Sequence, residues 1–190
     1  GMDISKPSGN MVIDIGGGTT DIAVLSLGGI VNSASIKIAG NIFDNDILEY
    51  IKKEYNLLVG ERTAEDIKMR IGTVYKGNKK DKLDVRGRDL VTGLPHSITL
   101  TSDEIEKALK NSVYEIIKVA KSVLEQTPPE LSADIIDKGV VITGGGAMIN
   151  GFDKLLAEEL KVPVYIAESP LTCVAEGTGL LLDNLSLVDR

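Results

Sequence analysis

The feature that most constrains this chain is a short apolar strand that breaks into three glycines, Met11-Val-Ile-Asp-Ile-Gly-Gly-Gly-Thr-Thr-Asp21. Gly16, Gly17 and Gly18 have no Cβ. Their backbone can therefore take positive φ and approach a ligand with N–H groups turned outward, an anion-binding concavity. The flanking groups suit a metal-bound phosphate. Asp14, at the strand end, can hold magnesium through water, and the hydroxyls of Thr19 and Thr20 can donate to a phosphate oxygen. Three glycines alone fit a structural hairpin turn equally well. Two other phosphate motifs are excluded: a Gly-x-Gly-x-x-Gly fingerprint needs glycine where Asp21 stands, and no Gly-x-x-x-x-Gly-Lys-Ser/Thr run occurs.

The glycine run is expected between strands rather than ahead of a helix. Alternation predicts strands over 11–15, 21–27 and 30–38, the last two joined by Gly28-Gly29 as a two-residue hairpin turn. Phe43, Ile47, Ile51 and Tyr55 then recur at about four-residue spacing, which marks an amphipathic helix ending near Asn56. A second helix is expected from Thr63, capped by Thr63 with Asp66 three residues on, with Ala64, Ile67 and Ile71 as its apolar stripe up to Gly72. Glu65 and Lys68 lie three apart on the face opposite Ile67, where the simplest reading is a surface ion pair. Short strands over 83–89 and 97–100 flank a turn at Thr92-Gly93-Leu94-Pro95. Thr101-Ser-Asp-Glu104 is a capping-box signature that opens the longest helix, an apolar stripe over 105–124 halted by Pro128-Pro129.

A second strand over 139–143 runs directly into Gly144-Gly145-Gly146, followed by a helix over 151–160, a strand over 162–167 and a final helix over 172–185. In a parallel or mixed sheet the two strand ends, about 130 residues apart, can converge on one ligand at the carboxyl edge. Two such loops with an acidic and hydroxylated partner favour a nucleotide pocket over two unrelated turns. The order of elements predicts an α/β core with helices on its faces: a mixed sheet formed by 11–45 and 102–190, with a smaller α+β piece inserted at 46–101. Residues 1–10 read as a loose entry segment, with Gly1-Met2 as a tag remnant, outside the fold.

Composition narrows the chemistry further. At 190 residues, 43% hydrophobic, the chain can bury a core, and a net charge of −7 argues against a non-specific nucleic-acid or anionic-membrane surface. The one histidine, His96, and the one cysteine, Cys173, leave no zinc site, no Ser-His-Asp triad and no internal disulfide. Without an 18-residue apolar run or a basic-then-apolar leader, the expected compartment is the cytoplasm.

Asp14-Ile-Gly-Gly-Gly-Thr-Thr-Asp21 resembles the second phosphate loop of the actin-like ATPases. Six further stretches are similar, in order and spacing, to the MreB family within that group: Gly60-Glu-Arg-Thr-Ala-Glu-Asp-Ile-Lys68, Val85-Arg-Gly-Arg-Asp-Leu-Val-Thr-Gly-Leu-Pro95, Leu124-Glu-Gln-Thr-Pro-Pro-Glu-Leu131, Asp134-Ile-Ile-Asp137, Thr143-Gly-Gly-Gly-Ala147 and Ser169-Pro-Leu-Thr-Cys-Val-Ala175. The resemblance implies the C-terminal half, subdomains IIA (11–45 and 102–190) and IIB (46–101), of a rod-shape-determining cytoskeletal protein. It implies ATP or ADP with magnesium as cofactors, phosphate held by Gly16, Gly17, Gly18 and Thr19, and magnesium held by Asp14 through water. The adenosine is expected against Glu65, Lys68, Gly144, Gly145, Gly146 and Ala147. It also implies self-assembly into filaments, partnership with the cell-elongation machinery, and action at the inner face of the membrane by the whole protein. Catalytic residues are expected in the other half, so this chain alone is expected to be inactive. A sugar or acetate kinase half, or a chaperone nucleotide domain, of the same fold is the alternative.

Overall fold

In the computed structural model, which describes residues 8–167, the glycine run is the tip of a β-hairpin. Strand β1 (Asn10–Ile15) pairs antiparallel with β2 (Thr20–Ser26), and β2 with β3 (Gly29–Ile36). The β2–β3 turn is Leu27-Gly28 rather than Gly28-Gly29: both take positive φ, 51° and 75°, while Gly29 already pairs with Ser26. Two positive-φ residues give the turn whose twist matches the strands it joins. Period-two alternation buries Met11, Ile13 and Ile15 completely on one face of β1 and leaves Asp14 on the other.

Helix α1 (Gly40–Tyr55) buries Phe43, Ile47 and Ile51 and ends at Asn56, whose left-handed φ of 50° closes its last turn. Helix α2 (Glu61–Ile71) starts two residues earlier than its sequence suggests. Gly60 is the N-cap, and the first helical bond runs from Ala64 N–H to the Gly60 carbonyl, so Thr63 lies inside the first turn and cannot cap it. A two-residue strand, β4 (Leu57–Leu58), has no sequence signal of its own; pairing with β5 (Lys82–Asp89) creates it, and β6 (Pro95–Thr101) completes a three-stranded sheet ordered β4-β5-β6.

Helix α3 (Ser102–Glu125) has both halves of the expected capping box between Thr101 and Glu104. Glu104 also accepts the hydroxyls of Tyr50, at 3.2 Å, and Tyr55, tying α3 to α1. Burial, reinforced by the Glu104 charge and hydrogen bond, pushes Tyr50 up to about 12. Tyr55 rises to about 12 chiefly through its hydrogen bond to Glu104. The proline pair does not merely follow α3. Pro128 and Pro129 open a further helix, α4 (Pro129–Lys138), which periodicity did not reveal; proline fits a first helical turn because no N–H is needed there.

Strand β7 (Val140–Thr143) enters the large sheet parallel to β1. A 3-10 turn (Gly145–Met148), helix α5 (Phe152–Leu160) and strand β8 (Val164–Ile166) follow, giving the order β3-β2-β1-β7-β8. One buried apolar cluster runs through both sheets and the helices between them, with Phe43 against Phe152 at 6.2 Å between ring centroids. The expected helix over 172–185, with Cys173 and the Ser169 to Ala175 motif, lies outside the described residues.

Candidate functional site at the edge where two glycine loops meet

The site is built by one parallel pairing. Because β1 and β7 run side by side with Asp14 opposite Thr143, the loops that leave their carboxyl ends, Gly16 to Thr19 and Gly144 to Ala147, are adjacent despite their distance in sequence. Their glycines serve different purposes. Gly144 has φ of 89°, and a Cβ there would lie 2.4 Å from the Ile15 carbonyl oxygen and 2.6 Å from Asp14 Oδ1; at Gly146 it would lie 2.4 Å from Ile15 Cγ2. Those two glycines let the loops touch. Gly16, Gly17 and Gly18, by contrast, do not take positive φ, contrary to the expectation from sequence. A Cβ on Gly18 would meet nothing within 4 Å, and one on Gly17 only the Asn41 side chain at 3.6 Å. What Gly17 and Gly18 leave is open space, a cradle that a side chain would fill, whereas a Cβ on Gly16 would lie 3.4 Å from the Thr19 carbonyl oxygen.

The first loop is braced from behind. Gly16 N–H bonds to the Thr19 carbonyl at 3.0 Å, which closes the turn. The carbonyls of Gly16 and Gly17 accept from Gly40 N–H at 2.9 Å and Asn41 N–H at 2.8 Å. The opening turn of α1, which has no side-chain cap, is thus capped by the glycine loop itself. With both carbonyls turned to the helix, the N–H groups of Gly17 and Gly18 keep no partner among the described residues. N–H groups without a partner, beside open space, suit an anion.

The polar groups sort as follows. Asp14 Oδ1 is buried without a hydrogen-bond partner, and burial, with the Asp21 charge opposite it on β2, raises the carboxyl above the usual range. An orphaned carboxylate oxygen between two glycine loops fits a hydrated cation. Thr19 is exposed and its hydroxyl donates to Asp21 at 3.1 Å. Thr20 is fully buried and donates to the Ile38 carbonyl at 2.6 Å, so it is unavailable to a ligand, contrary to expectation.

Lys68 and Glu65 do not form the expected surface pair. The Lys68 ammonium, its side chain only 12% exposed, lies 2.8 Å from Asp44 on α1 and donates to the Gly40 carbonyl at 3.3 Å, directly behind the first loop; Glu65 is exposed. Asp44 Oδ1 makes no aligned hydrogen bond, so the Lys68 contact is held by charge. Asp44 escapes sequence reasoning because its partner is 24 positions away on another helix. In the second loop Gly144, Gly146 and Ala147 are buried and Gly145 is exposed. Among the described residues no group of three acidic, histidine or cysteine side chains could hold a metal by itself, and no helix is long and apolar enough to cross a membrane.

Comparison with known proteins gives this geometry a context. The profile of the MreB/Mbl protein family matches residues 1–190. Cell shape-determining protein Mbl of Bacillus subtilis is 64% identical over 190 residues, all of this chain and 57% of the relative. Cell shape-determining protein MreB of Escherichia coli is 47% identical over 187 residues, 98% of this chain and 54% of the relative. The chain therefore spans little more than half the length of the curated relatives it matches. MreB5 of Spiroplasma citri, solved with AMPPNP and with ADP, superposes with a TM-score of 0.91 at 44% identity, covering 97% of this chain and 56% of that one. A MamK double helical filament matches at a TM-score of 0.68 and 23% identity over 85% of this chain and 50% of that one, a likeness of fold.

Proposed function

Because the chain belongs to the MreB/Mbl family, we propose that it is the C-terminal half, subdomains IIA and IIB, of an actin-like cytoskeletal protein that binds ATP, polymerises and sets rod cell shape. Residues 46–101 form subdomain IIB, and the rest of the fold IIA. The observation that carries the reading is the adjacency of Gly16–Thr19 and Gly144–Ala147 at one strand edge, with open space over Gly17 and Gly18. Solved relatives hold AMPPNP and ADP, which agrees with it.

In this reading the N–H groups of Gly17 and Gly18 and the hydroxyl of Thr19 hold phosphate, and Asp14 holds magnesium through water. Magnesium would neutralise the charge between the phosphates and the Asp14 carboxylate. Gly144, Gly145, Gly146 and Ala147 border the adenosine on one side, Glu65 and Lys68 on the other. Lys68, held by Asp44, can serve the ligand only by leaving that partner or by acting from behind the loop. The whole protein then forms filaments by head-to-tail contact and works with the elongation machinery at the inner membrane face; such growth needs two complementary surfaces on one molecule.

Titration of the isotope-labelled chain with MgADP tests the site. The amide signals of Gly16 to Thr19 and Gly144 to Ala147 should move with an affinity of about −5 kcal/mol or weaker, as befits one wall of a pocket; shifts confined elsewhere refute it. The chain alone should stay in the supernatant on centrifugation with MgATP and release no phosphate above background. Magnesium-dependent release abolished by Asp14→Ala would contradict this.

A further inference from the structure

We propose that Asn150 and Thr73 form a clip that sets the second glycine loop against α2, which makes Asn150 a positioning residue for the adenosine side of the pocket; the inference rests on the nucleotide reading above. The two residues meet in a parallel β-bridge, the one direct backbone pairing between the segment that leaves α2 and the segment that leaves the 3-10 turn. Val74 N–H donates to the Asn150 carbonyl at 3.0 Å. Thr73, fully buried, places its hydroxyl 2.9 Å from Asn150 Oδ1, and Asn78 Nδ2 donates to the same oxygen at 2.7 Å. Lys154 on α5 in turn donates to Asn78 Oδ1 at 2.8 Å. Asn150 Oδ1 thus accepts two donors, and that acceptor atom is the centre of the clip.

The clip has no slack. Thr73 stands two residues beyond Ile71, the end of α2, and at the intervening Gly72 a Cβ would lie 2.2 Å from the Lys68 carbonyl oxygen. On the other side Asn150 stands two residues beyond Met148, the end of the 3-10 turn. At Gly151, with φ of 82°, a Cβ would lie 2.6 Å from Tyr75 Cβ. Short tethers of this kind transmit the position of one end to the other, so the distance between Lys68 on α2 and Gly145 on the loop depends on Asn150 as well as on the contacts of Gly144 and Gly146 with Ile15. Thr73 Oγ1 also lies 3.2 Å from the carbonyl oxygens of Tyr75 and Asn150 and accepts from Tyr75 N–H at 3.3 Å, so valine at 73 would remove a node of several polar contacts at once. A part-buried polar network centred on a buried hydroxyl favours one geometry over others of similar packing.

The test uses the labelled chain with four probes: no ligand, MgADP, adenosine and tripolyphosphate. Thr73→Val and Asn150→Leu remove the donor and the acceptor; Thr73→Ser and Asn150→Asp keep them. The first pair should shift the ligand-free amide signals of Gly145 and Gly146 and weaken MgADP and adenosine at least five-fold, with tripolyphosphate binding unchanged, and the second pair should restore the parent values. Unmoved Gly145 and Gly146 signals, or equal losses for all three ligands, overturn the clip. If the first pair does not fold, Asn78→Ala at the half-buried rim should move the same signals by less, and no movement there also overturns it. Failure of the parent to bind MgADP overturns the nucleotide reading alone, and the ligand-free signals then decide the clip.

Discussion

Replacing one glycine in each loop with alanine should separate a residue kept for the ligand from a residue kept for the fold. At Gly18 the backbone is outside the left-handed region and a Cβ meets nothing within 4 Å, so alanine costs the folded chain nothing. It removes freedom from the unfolded chain, worth about 0.4 to 1 kcal/mol of stabilisation. At Gly144, alanine must take φ of 89°, which costs about 1 to 2 kcal/mol, and it drives a methyl to 2.4 Å from the Ile15 carbonyl, an overpacking of about 1 to 3 kcal/mol more. At about 2 to 4 °C per kcal/mol for a chain of this size, Gly18→Ala should melt roughly 1 to 4 °C above the parent. Gly144→Ala, at a summed cost of about 3 kcal/mol, should melt roughly 6 to 12 °C below it. MgADP titration should then show the reverse order of functional damage per degree: Gly18→Ala, though more stable, loses at least about ten-fold in affinity because its methyl stands in the open cradle, a loss of about 1.4 kcal/mol. Calorimetry and amide-shift titration on the same samples decide the matter. A Gly18→Ala chain that melts below the parent, or binds MgADP as the parent does, refutes the assignment of that space to a ligand.

The remaining predictions concern charge and turns. Asp14 carries a raised carboxyl in the folded chain, so between its unfolded and folded values the native state binds more protons and stability falls as pH rises. Asp14→Asn should therefore raise the melting temperature at pH 7 and remove that slope from the acid branch of the stability curve; an unchanged slope would dismiss the raised value. Tyr50 and Tyr55, both pushed up to about 12, should ionise last in an alkaline absorbance titration, and their contribution to stability, complete below about pH 10, should be lost between pH 10 and 12. Glu104→Gln should bring both back toward the ordinary tyrosine value. Leu27, 66% exposed at φ of 51°, is an unfavourable residue for the first position of its turn. Leu27→Asn should stabilise the hairpin by about 1 kcal/mol, seen as a melting shift of roughly 2 to 4 °C, and a lower melting point would show that Leu27 packs against something.

Local rules read well where the chain determines its own structure. The capping box at Thr101 and Glu104, the stripe of α3 and the two strand-to-glycine junctions are all encoded in neighbouring residues, and each is where the spacing predicts it. Convergence of the two loops followed from the rule for parallel strand ends. What escaped is what only distant partners create. Leu57 and Leu58 become a strand because Arg88 and Asp89 lie beside them. Lys68 turns from its neighbour Glu65 to Asp44, and Asn150 gathers donors from Thr73 and Asn78. The glycines of the first loop differ from their expected reason for being glycine: Gly17 and Gly18 leave open space above the backbone, and none of the three takes positive φ. Thr20 looked like a ligand group by type alone, and burial against Ile38 removed it.

The capping of α1 by the first glycine loop has a mechanical consequence. Two hydrogen bonds, from Gly40 and Asn41 to the carbonyls of Gly16 and Gly17, fasten the helix to the loop, so the loop cannot shift without breaking both or carrying the helix along. The 16 residues of α1 make a rod about 24 Å long. Its far end holds the small sheet, where Leu90 N–H bonds to the Asn56 carbonyl. A tilt of about 5° at the loop, well under 1 Å of local motion, moves that far end by about 2 Å over such a length. The helix therefore couples the glycine loop to the small sheet, and any such tilt must carry or break the hydrogen bonds by which Tyr50 and Tyr55 hold its far half to Glu104 on α3.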